Sequence, residues 1–198
     1  MPETAIIILA GGSSSRLGRP KQLLPFGSDT LIGHIVDVAL QAATGRVTVV
    51  TGAHEALIKE ALTNKAITMV HNKHWEEGMS SSIRTGIDAL AGAESLPSNV
   101  ILCVCDQPYV SPELFGQMIA AKGENSKGII ACAYADTIGV PVLFDSRYFY
   151  NLQSLAADEG AKNLLFRYKE DVGLIAFPKG DKDIDTEEDY RQLCKHDQ

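Results

Sequence analysis

The chain has 198 residues, of which 45% are hydrophobic and 22% are charged, and this composition indicates a folded globular protein rather than a disordered one. The length predicts a single domain spanning residues 1–198. The formal net charge of −7 argues against binding to nucleic-acid backbones or anionic membrane surfaces, because both require a basic face. Any phosphate-bearing ligand must therefore be held by a local group of cations.

The cysteines and the apolar runs indicate the compartment. Cys103, Cys105, Cys132 and Cys194 lack C-x-x-C spacing, so we expect reduced thiols that lie mostly in the core. No apolar run approaches the roughly 18 residues of a membrane-spanning helix, and the first residues lack the basic start of a secretory signal. These observations predict a cytoplasmic protein.

Short β-branched runs alternate with segments of helical period along the chain, which predicts an α/β fold with a mostly parallel sheet. Strands are predicted at 5–10, 46–51, 67–70, 100–105, 128–133, 140–144 and 172–177. Helices are predicted at 29–43, 54–62, 79–90, 112–122 and 160–168, with a last one from Thr186. Asp29 or Thr30 can cap the first helix, and Leu57 is expected to face the core from the second. Periodicity does not order the short elements between 136 and 158.

A glycine- and serine-rich loop follows the first strand and runs from Leu9 to Lys21. The adjacent glycines Gly11 and Gly12 let the backbone approach a ligand, while serine hydroxyls and free N–H groups can surround phosphate oxygens. Positive charge comes from three residues of the same loop, Arg16, Arg19 and Lys21. The spacing fits neither the Walker A loop nor the G-x-G-x-x-G fingerprint. The loop nevertheless predicts a site for a triphosphate.

Two aspartates stand at the ends of predicted elements. Asp106 follows the strand at 100–105 in a D-Q-P segment, and Asp185 precedes the last helix. Aspartates at such positions also serve as helix caps or turn residues, so each taken alone is ambiguous. Together they are suited to Mg²⁺, a hard cation that one or two carboxylates hold jointly with substrate phosphates; Mn²⁺ takes the same oxygen ligands.

Three consecutive serines, Ser80, Ser81 and Ser82, follow Gly78 where a loop meets a helix. Hydroxyls and N–H groups at a helix start can hydrogen-bond a base or a ribose, although the same residues also act as ordinary helix caps.

The segment from Leu9 to Lys21 resembles the L-A-G-G-x-S-x-R-x-G-x-x-K signature of nucleotidyltransferases with the glycosyltransferase-A-type fold. Its continuation P-K-Q-L-L-P-F-G resembles the branch that contains molybdenum cofactor cytidylyltransferases. The resemblance implies a Rossmann-like, three-layer α/β/α fold. It places the nucleotide on Leu9, Ala10, Gly11, Gly12, Ser13, Ser14, Ser15, Arg16 and Lys21, with Ser80, Ser81 and Ser82 at the base or ribose and Arg84 as a further contact.

The same resemblance implies the roles of the charged residues. Arg16 is expected to hold the β- and γ-phosphates, and Lys21 to stabilise charge at the α-phosphate. Asp106 and Asp185 match the metal-binding positions, so the expected cofactor is Mg²⁺, with Mn²⁺ as the alternative. Arg16, Lys21 and Asp106 are thus the expected catalytic residues.

Two later segments resemble the acceptor side of such enzymes. G-V-P-V-L-F, from Gly139, is similar to an element that forms one wall of the acceptor pocket, and D-E-G-A-K, ending at Lys162, is similar to a turn associated with a pterin substrate. The chain departs from the usual pattern at Val140 and Ala157. The residues expected to bind the acceptor are Gly139, Pro141, Asp158, Gly160 and Lys162.

The resemblance implies transfer of CMP from CTP to the phosphate of molybdopterin or the molybdenum cofactor, with release of pyrophosphate. It also implies transient contact with a molybdenum hydroxylase or its maturation factor. Within the same chemistry, GTP is the alternative donor and a sugar 1-phosphate the alternative acceptor. A non-catalytic maturation factor that binds the cofactor and a glycosyltransferase are alternatives of other kinds.

Overall fold

The structure is a computed structural model that describes residues 3–92, 95–124, 126–157 and 159–196. In these ranges the strands are β1 (Thr4–Ala10), β2 (Pro25–Phe26), β3 (Asp29–Thr30), β4 (Val47–Thr51), β5 (Thr68–His71), β6 (Asn99–Val104), β7 (Ile129–Tyr134), β8 (Thr137–Asp145) and β9 (Val172–Ala176). The α-helices are α1 (Leu31–Ala42), α2 (Glu55–Ala61), α3 (Met79–Ala91), α4 (Pro112–Glu124), α5 (Phe149–Gln153), α6 (Ala161–Arg167) and α7 (Glu187–His196).

Seven of the strands form one sheet with the order β5-β4-β1-β6-β8-β7-β9, and β2 and β3 form a short antiparallel pair. All neighbouring strands of the large sheet are parallel except β8, which runs antiparallel to both β6 and β7. The prediction of an α/β fold with a mostly parallel sheet is therefore confirmed. The carboxyl ends of the parallel strands meet at one edge, where α/β sheets bind their ligands.

Helices cover both faces of the sheet, which gives the predicted three layers. Side chains of β1 alternate between the two cores, with Ile6 and Ile8 in one and Ile7 and Leu9 in the other. The first core includes residues of α1, α2 and α4, and the second includes residues of α3, α5 and α6. Because both faces are covered, β1 is buried along its whole length, as its uncharged sequence predicts.

The helices at 29–43 and 54–62 are shorter than predicted. The Thr30 hydroxyl accepts a hydrogen bond from the Gly33 N–H at 3.2 Å, so Thr30 is the cap and α1 begins at Leu31. Asp29 instead pairs with Phe26 in the short β2–β3 ladder. In α2 the prediction for Leu57 is wrong, since 48% of this residue is exposed and Ile58 alone is buried within the helix. Seven residues form only two turns, and one buried side chain anchors them.

The region between 129 and 153 contains the largest differences from prediction. β7 is shifted by one residue from its prediction, and β8 is four residues longer than predicted. The two strands form a hairpin whose turn residues Ala135 and Asp136 have positive φ angles of 44° and 58°. Such a pair of φ angles is typical of a tight two-residue hairpin turn. The short helix α5 was not predicted. Its five residues are too few to establish a helical period.

The cysteines behave as expected in the described residues. Cys103, Cys105 and Cys132 are buried, Cys194 is exposed, and all four are free thiols. Within the described ranges, every helix is too short or too polar to cross a lipid bilayer.

Candidate active site

The glycine-rich loop leaves β1 at the carboxyl edge of the sheet and is fastened by the buried side chain of Gln22. The Gln22 amide donates to the carbonyl oxygens of Ala10 at 3.1 Å and Gly12 at 2.8 Å. Ser14, whose φ angle is 57°, accepts a hydrogen bond from the Lys21 N–H on its hydroxyl at 3.0 Å. These bonds fold the loop back so that Lys21 returns to the end of β1. Gln22 was not predicted as a site residue, because its only signal in the sequence is an amide next to an apolar run.

The segment after β4 supports the loop from the other side. Ala53 donates its N–H to the Gly11 carbonyl at 3.2 Å, and a His54 ring nitrogen lies 3.0 Å from the Ser13 carbonyl oxygen. A side chain at Gly52 would overlap the carbonyl group of Gly11, so glycine is required for this close approach. The loop is thus held by hydrogen bonds to its backbone, while the Ser15 and Gly12 positions remain exposed.

Four charged side chains of the predicted site meet in one cluster. The Lys21 ammonium donates to Asp106 Oδ2 at 2.5 Å and to Asp185 Oδ1 at 3.1 Å. A guanidinium nitrogen of Arg16 lies 2.7 Å from Asp185 Oδ2. Arg16 is mostly exposed, whereas the other three side chains are largely buried. Two positive and two negative charges therefore balance at the end of the glycine-rich loop.

The cluster fixes the charge of Lys21. Burial alone lowers the pKa of Lys21, but the negative charge of Asp106 and the hydrogen bonds to Asp106 and Asp185 outweigh burial, so the pKa is raised above 10.5. Lys21 is therefore protonated at neutral pH and is suited to stabilise negative charge, not to act as a base.

Asp183 lies near the same cluster. Burial and the charges of Asp106 and Asp185 raise the pKa of Asp183 above 3.8. The structure nevertheless places Asp185, and not Asp183, in contact with Lys21 and Arg16. Asp185, which the resemblance implies as the second metal ligand, is thus the one that contacts both cations, and its role in metal binding stays a prediction.

Asp106 and Asp185 fit a divalent cation by their chemistry. Both carboxylates approach one point, the Lys21 Nζ, and both keep part of their surface exposed. Carboxylate oxygens are the ligands that Mg²⁺ and Mn²⁺ prefer. In the described part of the chain, no group of three or more His, Cys, Asp and Glu side chains is arranged to hold a metal. A cation on this pair would therefore take its other ligands from bound phosphates and water.

A cavity of about 210 Å³ adjoins the cluster. Its walls include the start of the glycine-rich loop at 9–12, Lys21 and Asp106 on one side, and Trp75, Met79 and Ser82 on the other. The structure thus brings the predicted triphosphate loop, the lysine and the first aspartate to one cavity, together with one of the three predicted serines.

The three serines differ in what their hydroxyls contact. Ser80 donates to the Ala157 carbonyl at 2.9 Å, and Ser81 lies 2.8 Å from the carbonyl oxygens of both His74 and Gly78. Ser82 accepts a hydrogen bond from the buried amide of Asn72 at 3.0 Å and lines the cavity. Of the three side chains, only that of Ser82 reaches the cavity. Asn72, which orients it, was missed by the sequence analysis.

Arg84 fastens α3 to the next segment of the chain. It donates to the Leu155 carbonyl at 2.7 Å and to the Glu77 carboxylate at 3.1 Å. Arg84 thus makes both of these hydrogen bonds to other parts of the protein, and its contact with a nucleotide stays a prediction.

The predicted acceptor residues that the structure describes do not form one cluster. Gly139 and Pro141 belong to β8, which begins beside the end of β6 because it runs antiparallel. Gly160 precedes α6. Lys162, within α6, donates to the hydroxyl of Thr137, the first residue of β8, at 2.7 Å. Asp158 lies outside the described residues.

The last helix, α7, packs against the outer side of the glycine-rich loop. Arg19 forms a two-pronged ion pair with Glu187 at 2.7 and 3.0 Å and lies over the Tyr190 ring. Leu17 and Leu193 belong to a small separate core beneath this contact. Asp185 lies two residues before α7 and donates its N–H to the Asp189 carboxylate of that helix at 3.2 Å, so the same helix positions the second carboxylate.

Comparison with protein families finds one match. Residues 6–172 match the model of the MobA-like NTP transferase domain. This range includes the glycine-rich loop, Lys21 and Asp106, while Asp185 lies beyond its end.

Three similar proteins have names that state three different functions. Nicotine blue oxidoreductase of Paenarthrobacter nicotinovorans is 28% identical over 98% of both chains. Purine catabolism protein PucB of Bacillus subtilis is 26% identical over 93% of this chain and 92% of its own. Molybdenum cofactor cytidylyltransferase of Escherichia coli is 27% identical over 69% of this chain and 67% of its own.

Two similar crystal structures are both of Rv0371c from Mycobacterium tuberculosis. One has a TM-score of 0.84 with 30% identity over 98% of both chains. The other, a complex with manganese, has a TM-score of 0.79 with 28% identity over 98% of both chains. The family model matches most of the chain, and the fold and the position of the glycine-rich loop agree with this match. The chain therefore belongs to the MobA-like NTP transferase family.

Proposed function

We propose that the protein transfers CMP from CTP to the terminal phosphate of a molybdopterin-type cofactor and releases pyrophosphate. The observation that carries this proposal is the cluster at the end of the glycine-rich loop, where Lys21 contacts Asp106 and Asp185 and Arg16 contacts Asp185. A triphosphate requires cations at hand, and this cluster places Lys21 and Arg16 at the end of the loop, with two carboxylates beside them that are suited to a divalent cation.

In this reaction an oxygen of the acceptor phosphate attacks the α-phosphorus of CTP. A phosphorus–oxygen bond forms, and the bond from the α-phosphorus to pyrophosphate breaks, with its electron pair leaving on pyrophosphate. The attacking phosphate is already anionic at neutral pH, so no base is needed. The protein therefore acts by positioning and by charge stabilisation.

The charged residues have separate parts in this scheme. Lys21, kept protonated by its carboxylate neighbours, donates to the oxygen that gains charge at the α-phosphate. Arg16, mostly exposed beside the loop, holds the leaving pyrophosphate. Asp106 and Asp185 hold Mg²⁺ or Mn²⁺, which when bound supplies positive charge against the triphosphate. A manganese complex of a protein 28% identical to this one supports the choice of cation.

For the nucleotide, the proposal places the base in the cavity of about 210 Å³, with Ser82 as the serine that touches it. The choice of CTP is supported by the similarity to the Escherichia coli cytidylyltransferase. For the acceptor, the proposed site is beside Gly139 and Pro141 of β8, which pairs with β6 on the side away from β1 and its glycine-rich loop. The product then passes to a molybdenum hydroxylase or its maturation factor.

The test is pyrophosphate release with CTP, GTP, ATP and UTP in turn, with Mg²⁺ or Mn²⁺, and with or without molybdopterin or molybdenum cofactor. We expect release with CTP that depends on the acceptor. If pyrophosphate is released only with GTP, the nucleotide donor is GTP and not CTP. Nucleotide binding without release under any condition would contradict the enzyme proposal and favour a carrier of the cofactor.

A second candidate function is oxidation or reduction of nicotine blue, because the relative named nicotine blue oxidoreductase matches this chain over 98% of its length. Oxidation of NADH that depends on nicotine blue and needs no nucleoside triphosphate would support it. Under the first proposal, NADH is not consumed.

A further inference from the structure

One buried amide joins three segments of the chain beside the carboxylate cluster. Gln107 directly follows Asp106, and only 4% of it is exposed. Its Nε2 donates to the Gly180 carbonyl at 2.8 Å and to the Val140 carbonyl at 3.2 Å. The first belongs to the loop that carries Asp185, and the second to β8. Gln107 thus connects the end of β6 to the loop on one side and to the predicted acceptor wall on the other.

The direction of this amide is fixed by its surroundings. Both carbonyl oxygens require a donor, so the Nε2 must face them, and a flipped amide would bring oxygen against oxygen. The Oε1 atom is buried and has no hydrogen-bond partner among the described residues. A buried acceptor without a partner costs free energy, so the two donated bonds hold the side chain in place despite that cost.

The junction leaves little space for the loop to shift. A side chain at Gly180 would overlap the Tyr134 ring, and a Cβ at Gly139 would lie 2.5 Å from the Tyr134 hydroxyl. A second bond, from the Ile184 N–H to the Asp106 carbonyl at 3.0 Å, fixes the same loop next to Asp185. Gln107 and this backbone bond therefore hold the loop at two points.

We propose that Gln107 is a positioning residue, which holds the loop at the separation that lets Asp106 and Asp185 share one divalent cation. The inference rests on the proposed function for the cation site at Asp106 and Asp185. Gln107 itself does not touch the cation. It acts through Gly180, and it sets the distance between two carboxylates that lie 79 positions apart in the sequence.

The test is Mn²⁺ binding by electron paramagnetic resonance, with no nucleotide present, for the wild-type protein, Gln107→Met and Gln117→Met. Methionine has a similar length but donates no hydrogen bond. Gln117 is exposed on α4, so its variant is the matched control for the chemical change. We expect the Mn²⁺ dissociation constant to rise about tenfold in Gln107→Met and to stay unchanged in Gln117→Met, as for other residues that orient metal ligands.

A positioning role also predicts rescue. Saturating Mn²⁺ should restore most of the pyrophosphate release of Gln107→Met, because the carboxylates remain and only their preorganisation is weakened. A variant with general loss of structure would not recover. Wild-type Mn²⁺ affinity in Gln107→Met overturns the proposal.

A second variant covers the case in which Gln107→Met does not fold. Gln107→Asn keeps the amide but is one methylene shorter and cannot reach both carbonyls, so we expect a smaller loss of Mn²⁺ affinity. Unfolding of both variants, as judged by circular dichroism, overturns the proposal in favour of a purely structural role.

The same data separate the two proposals. If the wild-type protein neither binds Mn²⁺ nor releases pyrophosphate, the proposed function fails. If the wild-type protein does both and the folded Gln107 variants bind Mn²⁺ equally well, only the positioning role fails.

Discussion

At the scale of single residues, the site depends on charges that compensate one another over short distances. Lys21 has only 16% of its side chain exposed and contacts two carboxylates. Removing one member of such a partly buried group leaves the others without compensation, which costs more than the loss of an exposed ion pair. The consequences for binding and for turnover differ, because only the transition state gains charge at the α-phosphate.

Lys21→Ala is therefore expected to lower turnover by about 100-fold or more while weakening nucleotide binding much less, as for other groups that stabilise transition-state charge. Steady-state kinetics of pyrophosphate release and calorimetric titration with CTP measure the two effects. Lys59→Ala, which removes an exposed lysine on α2, is the control. Unchanged turnover in Lys21→Ala would exclude the proposed role.

The charged residues of the site were predictable, but the amides that place them were not. Arg16, Lys21, Asp106 and Asp185 stand at element ends in recognisable motifs, and the structure brings them together. Gln22, Asn72 and Gln107 are buried amides whose partners are mainly backbone carbonyls or hydroxyls of other elements and loops. Residue type and spacing do not identify such partners, since they depend on how loops meet in three dimensions.

At the scale of elements, close packing decides where a helix tolerates a side chain. Helix α3 crosses the sheet at Gly86, where a Cβ would lie 2.8 Å from Ile7 Cγ2 and 3.1 Å from Val50 Cγ2. Gly116 is also inside a helix, α4, but a Cβ there would meet no other atom within 4 Å. Replacement by alanine is therefore expected to destabilise the protein at Gly86 and to stabilise it at Gly116.

Gly86→Ala is expected to lower the free energy of unfolding by about 1–3 kcal/mol, because overpacking forces the helix away from the sheet. Gly116→Ala is expected to raise it by about 0.5–1 kcal/mol, since alanine is the better helix former. Urea denaturation of both variants measures the difference. Equal effects in the two variants would contradict this account.

The elements that could be predicted are those with a period or an uninterrupted apolar run. β1 and β6 were placed to within one residue at each end, because central strands of a parallel sheet read as continuous β-branched runs. The β7–β8 turn and α5 escaped prediction. A short helix has no measurable period, and the antiparallel direction of β8 depends on tertiary pairing with β6.

At the scale of the whole molecule, a second charged group holds the opposite edge of the sheet. Asp171 accepts hydrogen bonds from the Gly128 N–H at 3.0 Å, from Arg147 at 2.8 Å and from the Tyr148 hydroxyl at 2.5 Å. It joins the amino ends of β7 and β9 to the segment before α5. This edge is remote from the carboxylate cluster, so its contribution to stability can be tested separately from activity.

The charge of Asp171 makes this contribution dependent on pH. Burial raises the pKa of Asp171, but the bonds from Tyr148 and Gly128 and the charge of Arg147 outweigh burial and hold it below 3.8. For the same contact, burial and the neighbouring carboxylate raise the pKa of Tyr148 to about 12. Since the folded-state pKa of Asp171 is lowered, its stabilisation is present above pH 3.8 and is lost as the pH falls below that value.

Asp171→Asn is therefore expected to cost about 1–2 kcal/mol at pH 7, the scale of a lost charged hydrogen bond, and progressively less as the pH falls below 3.8. Chemical denaturation at pH 7 and pH 3 measures the change, with Asp88→Asn on the exposed side of α3 as the control. A stability difference that does not vary with pH would contradict the assignment. Pyrophosphate release per folded molecule is expected to remain unchanged.

The reversed direction of β8 has a consequence for how this family can diversify. The β7–β8 turn at Ala135 and Asp136 extends from the same edge as the glycine-rich loop, while the far ends of both strands remain paired inside the sheet. Residues inserted at that turn would lengthen the rim around the proposed acceptor site without altering the register of a single core strand. Under the proposed function, acceptor preference can thus evolve at the hairpin tip independently of the glycine-rich loop, which follows a different strand.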